Sequence, residues 1–219
     1  MRLFRKRSIW LPTWPVAVGA IAIMLLLCGL LFFGSHGFLA MREPVEGAEV
    51  LVVESWLADV SMEEVAEILR GEQGSYRDVW LVGPPVSHGT YLSPQYKSFA
   101  EVGRATLVEL GVSAERLHVA PAVDVHRHRT FEAGNALRET LSAAGALPEK
   151  IDVATLDVHA RRSRLVYSKL FPDAEIGVIA LAAPAYSGDD WFKSSSGMKN
   201  VIFEVIAFLY EKFGDSGRP

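Results

Sequence analysis

The sequence predicts an α/β protein: a Rossmann-like, doubly wound, mainly parallel five-stranded sheet, preceded by one N-terminal transmembrane helix. Three observations lead there. Short β-branched runs alternate with longer segments of helical period. Glycine and proline punctuate nearly every junction between them. One unbroken apolar run near the N-terminus is as long as a bilayer is thick. Strands alternating with helices imply parallel pairing through right-handed crossovers.

Residues 1–13 form a basic tail holding Arg2, Arg5, Lys6 and Arg7. No Asp, Glu, Lys or Arg then occurs from Ser8 to Met41, and Val16 to Phe33 is wholly apolar or glycine. Trp10 and Trp14 stand at its basic end, where a membrane interface favours them. Residues 14–34 are therefore expected to span a bilayer. The cationic end stays cytoplasmic and the remainder lies outside, in a bacterial plasma membrane. The run is longer than a signal-peptide core and lacks an Ala-x-Ala cleavage site. Leu27 before Cys28 argues against a lipoprotein signal.

Residues 35–47 read as a linker, 48–213 as the α/β domain and 214–219 as a disordered tail. Glu49 to Val53 is a buried-type strand, followed by the polar loop Glu54 to Asp59. Ser61-x-x-Glu64 reads as a capping box for a helix to Leu69. Asp78 to Val82 is the second strand, and Ser87, His88 and Tyr91 fall in the loop after it. Ser98-x-x-Glu101 caps the next helix, which Gly111 ends. Leu117 to Ala120 is a short third strand, and Asp124 to Thr130 a loop rich in His and Arg. Thr130 to Ala144 is helical. The Ile151 to Leu156 strand leads into a helix that Pro172 stops after Leu170. Ile176 to Leu181 is the fifth strand, and Val201 to Phe213 a closing amphipathic helix.

The first forty residues carry four basic side chains and no acidic one; the remainder carries 18 basic against 26 acidic, within a net charge of −4. So acidic a domain argues against a nucleic-acid partner. Its single cysteine, Cys28, lies in the apolar run, which excludes disulfides and cysteine metal sites from the domain.

Against that background the junction Asp157 to Arg164 stands out, with His159, Arg161, Arg162 and Arg164 where a strand's carboxyl end meets a helix N-terminus. Open α/β sheets bind ligands there, and a helix N-terminus with arginines suits an anion. The same cluster also reads as a solvated helix face. Loops after strands share one edge of the sheet, so His159 and Arg162 are expected near Glu54, Ser55, Arg129, Thr130 and Glu132. His159 is the candidate acid or base, or else an N-cap or a satisfied buried imidazole. Thr130 reads equally as a plain helix cap. Glu132 suits a helix first turn, Asn135 is structural, and Glu54 and Asp59 read most simply as surface carboxylates. No spacing among the histidines and acids resembles a metal-ligand motif, so no metal is expected. The nucleotide-binding and hydrolase motifs G-x-G-x-x-G, the P-loop, G-x-S-x-G and H-E-x-x-H are missing.

These residues resemble the bacterial envelope family that includes the YdcF, SanA and ElyC proteins, over about Glu49 to Phe213. Arg129-Thr130-Phe131-Glu132-Ala133 resembles its Asn-Thr-x-Glu-Asn helix start, and His159-Ala160-Arg161-Arg162 its His-x-x-Arg. Glu54-Ser55-Trp56 is similar to the Val-Glu-Gly-Trp-like loop of one subgroup, and Lys199 to Tyr210, with Glu204, to its closing helix. Arg129 and Ala133 depart from the pattern by replacing its two asparagines, which favours a more anionic ligand. The resemblance implies a Rossmann-like fold and a role in envelope or surface-polysaccharide biogenesis. The expectation is a membrane-anchored domain that binds, and in one version processes, an anionic, phosphorylated or lipid-linked intermediate. A non-catalytic assembly scaffold and a binder of a nucleotide-like cofactor are the alternatives. Neither a specific cofactor nor an oligomeric state follows from the sequence.

Overall fold

The computed structural model describes residues 11–71, 76–86, 95–123 and 127–214. The basic N-terminal residues, Ser87, His88, Tyr91, Asp124, His126 and the tail beyond Gly214 lie outside the described residues. The chain divides into two compact units, Met1–Ser35 and His36–Pro219.

Helix α1, Trp14–Leu39, is apolar all round and long enough to cross a membrane. It runs five residues further than the span predicted. Part of the expected linker is therefore helical, and another part, Arg42–Glu43, forms strand β1.

The second unit is built on a six-stranded mixed sheet rather than five parallel strands. The other strands are β2 Val50–Glu54, β3 Asp78–Gly83, β4 Leu117–Pro121, β5 Lys150–Leu156 and β6 Glu175–Leu181. Their order is β1-β6-β5-β2-β3-β4, with β1 antiparallel to β6 and every other pairing parallel. Two charged residues carry no apolar pattern, so β1 was invisible in the sequence. It exists because Arg42 and Glu43 pair with Ile179 and Val178, and Arg164 holds Glu43 at 2.7 Å.

Helices α2 Asp59–Arg70 and α3 Phe99–Glu109 cover one face of the sheet; α4 Arg129–Ala143 and α5 Ala160–Leu170 cover the other. Helix α6, Ser195–Phe213, packs on α5. Alternate residues of β2 feed the two cores: Val50 and Val52 face α4 and α5, while Leu51 and Val53 face α2 and α3. The Ser98 capping box is real, with its hydroxyl accepting from Glu101 N and Glu101 Oε2 from Lys97 N. The Ser61 box is not. Helix α2 starts two residues earlier, and Glu64 is drawn away to Arg42 and Ala182 N.

Two features of this layout place the site. Strand order reverses between β2 and β5, leaving a crevice at their carboxyl ends. Beyond β5 the chain turns sharply, with Asp157 left-handed at φ 39° and a 3₁₀ turn, Asp157–His159, leading into α5. His128, just before α4, is left-handed too, at φ 55°. Both strained residues flank the crevice, where such strain is commonly stored.

Candidate functional site

A cavity of about 790 Å³ opens over the β2/β5 crevice. Strand β2 supplies Glu54 and the following loop Trp56; α4 brings Arg129 and Thr130; the turn after β5 brings His159; α5 and α6 contribute Arg162 and Glu204. Segments 150 residues apart in the chain thus meet at one rim of the sheet.

Four side chains close a ring. His159 Nδ1 lies 2.9 Å from both Glu204 Oε1 and Arg162 Nη2; because Nη2 also donates to Glu204 Oε1 and an ionised carboxylate can only accept, Nδ1 is assigned as the donor to Glu204. Nε2 lies 3.3 Å from the Thr130 hydroxyl. Thr130 Oγ1 in turn accepts from Arg162 Nη1 at 3.2 Å. Arg162 returns to Glu204 through Nε at 2.8 Å and Nη2 at 3.0 Å. Burial works to raise the Glu204 carboxyl, but hydrogen bonds and charge from His159 and Arg162 outweigh it and bring it down to about 2. Burial would lower the Arg162 guanidinium, yet Glu204 holds it above its ordinary value.

Beneath the ring lies a buried acid. Glu54 is 1% exposed, so it is no surface carboxylate. Its Oε2 accepts from Thr155 at 2.5 Å and Ser163 at 3.0 Å and stands 3.6 Å from His159 Nε2. Its Oε1 is buried and has no hydrogen-bond partner among the described residues. A buried oxygen left without a partner costs on the order of 1–3 kcal/mol. The Tyr167 hydroxyl is likewise buried and unpaired; burial, then the Glu54 charge, push its pKa well up, which keeps it protonated.

At the rim Trp56 stands edge-on to His159, with ring centres 5.2 Å apart. Tyr186 donates to Asp157 Oδ2 at 2.6 Å, and His36 Nε2 to Asp157 Oδ1 at 2.9 Å, which braces the turn carrying His159. Arg129 lines the cavity, is exposed, and has no partner among the described residues. It opens α4, whose N-cap His128 gives no side-chain hydrogen bond.

The structure therefore brings together His159, Arg162, Thr130, Glu54 and Arg129. Thr130 is not the cap of α4 but spends its hydroxyl on the ring, and His159 makes no cap bond. Three predicted contacts are absent. Arg161 donates to Phe38 O and lies over the Phe38 ring at 3.9 Å. Ser55 is buried beneath α3, its hydroxyl on Val53 O at 3.1 Å. Glu132 sits in the first turn of α4 and is not among the residues lining the cavity. The arginine cluster divides because successive helical residues point about 100° apart: Arg161 reaches Phe38, Arg162 the cavity, Arg164 the β1 edge.

Residue-by-residue reading assigned no role to Glu204, Thr155, Ser163 or Tyr186. For Glu204 a signal existed: it is the lone charge in Val201 to Tyr210. Among the described residues no three His, Cys, Asp or Glu side chains group as a metal site. No family model, curated protein or solved structure matches the chain.

Proposed function

We propose that the cavity binds a glycosyl phosphate or similar anionic sugar-bearing intermediate of the cell envelope, in a domain held at the plasma membrane by α1. The unpartnered Glu54 Oε1 carries this reading. A buried, lone acceptor suits a donating sugar hydroxyl and repels a bare phosphate. The anion then belongs at the rim, with Arg129 and the uncapped N-terminus of α4. Trp56 offers an apolar face beside the sugar. His159, its Nδ1 fixed by Glu204, presents Nε2 as the group that takes up or releases a proton during processing.

Support for a Rossmann-like domain comes from the order β4-β3-β2-β5-β6, and the resemblance to the YdcF, SanA and ElyC family rests on His159, Arg162 and Thr130. Outward placement of the domain follows from the cationic N-terminus.

Calorimetric titration of the full chain in detergent with glucose 1-phosphate, glucose and inorganic phosphate tests the proposal. Glucose 1-phosphate binds best. Arg129→Ala weakens it roughly tenfold, the loss of one charge-assisted hydrogen bond. Glu54→Gln weakens it without changing the response to inorganic phosphate. Equal binding of all three probes, or none, defeats the reading, and preferential binding of a nucleotide replaces it.

A further inference from the structure

Helix α6 turns two carboxylates inward, Glu204 to the ring and Glu211, 4% exposed, to Lys169 Nζ at 2.8 Å, and leaves a broad apolar face exposed. Most of its large apolar residues turn outward, although Val201 and Phe208 are buried. Ile202, Phe203, Ile206, Leu209, Tyr210 and Phe213 are 41% to 78% exposed and recur at helical spacing along one face. Between Ile202 and Phe213 the only other exposed side chain is Lys212, which lies over the Phe208 and Phe213 rings at 5.9 and 5.8 Å. A contiguous apolar stripe of this length on a water-facing helix marks a contact surface.

The point at which the chain enters this unit indicates what covers it. His36–Leu39, the last turn of the apolar helix, belongs to the same unit, and Phe38 packs edge-on against Phe208 of α6 at 5.6 Å. Resting on the reading of α1 as a membrane anchor, α6 therefore sits where the polypeptide leaves the lipid. We propose that the outward face of α6 lies on the bilayer, its apolar stripe in the acyl-headgroup boundary and its Lys212 ammonium at headgroup level. Phe203, Ile206 and Tyr210 belong both to this stripe and to the cavity wall. The cavity mouth then opens onto lipid, and its ligand is an amphiphile whose apolar chain stays in the membrane while its polar head reaches Glu54 and Arg129.

The full chain in phosphatidylcholine vesicles tests this. Cys28 is the only cysteine, so a Cys28→Ser background permits single labels. Leu209→Cys and Phe213→Cys place an environment-sensitive fluorophore on exposed stripe positions outside the cavity; Val108→Cys on α3, across the sheet, is the control. Labels at 209 and 213 are blue-shifted, shielded from aqueous iodide, and quenched at least threefold more than at 108 by lipids bearing a shallow acyl nitroxide. Quenching equal to that at 108 overturns the proposal. Shielding from iodide without lipid quenching also overturns it, in favour of a second copy or another protein on this face. Extraction by alkaline carbonate removes the anchor and this proposal together. Retention with unquenched labels sinks this proposal alone, and the sugar-phosphate titration in detergent is independent of both.

Discussion

Glu204 is the residue on which the site's geometry turns. It fixes the tautomer of His159 and neutralises Arg162, and its carboxyl is brought from an ordinary 4.5 to about 2. The sign of the linkage follows. Above about pH 4.5 both folded and unfolded chains are ionised here. As pH falls toward 2 the unfolded chain protonates first, so the native state loses on the order of 3 kcal/mol. Urea unfolding at stepped pH should show this loss in the wild type and a flatter acid limb in Glu204→Gln. Glu204→Gln should also be less stable near neutrality by on the order of 2 kcal/mol, because Arg162 is left buried beside a weaker partner. The meeting of His159, Thr130 and Glu54 was legible in the sequence, since topology alone puts loops after parallel strands on one edge. Glu204 was not legible through roles read residue by residue. Its partners lie 42 and 45 positions away on another helix, and only the fold shows that they face it.

At the scale of elements, apolar runs located β2 to β6 within a residue or two, because buried parallel strands need continuous apolar sequence. Capping signals were less dependable. Ser98 and Ser61 carry the same S-x-x-E pattern, but Ser98 caps α3 while Ser61 lies inside α2 with its hydroxyl 3.4 Å from Ala182 O. Ser98→Ala should therefore cost about 1 kcal/mol in thermal or urea unfolding, with Ser61→Ala closer to neutral. Helix α6 shows why a helical period alone misleads. It reports two faces correctly but does not say which one the protein covers.

For the whole molecule, Asp152 ties the sheet together. It is buried in β5, where its carboxylate accepts from Tyr76 at 2.7 Å and from Val45 N at 2.8 Å, joining the entry to β3 and the chain after β1. Burial holds its carboxyl above the ordinary range despite those bonds. Gly177 on β6 makes room for it, because a Cβ there would overlap Asp152 Oδ1. Asp152→Ala strands a hydroxyl and an amide and should lower unfolding free energy by about 2–4 kcal/mol, with Asp152→Asn milder; urea midpoints distinguish them. At the cavity, the central guanidinium is already engaged before any guest arrives, with each of its three nitrogens donating to Glu204 or Thr130. Filling the cavity therefore gains little from that cation. On the proposed function, discrimination between guests falls to the two extremities, an acidic floor and a basic lip, and a molecule must span both to be told apart from its fragments.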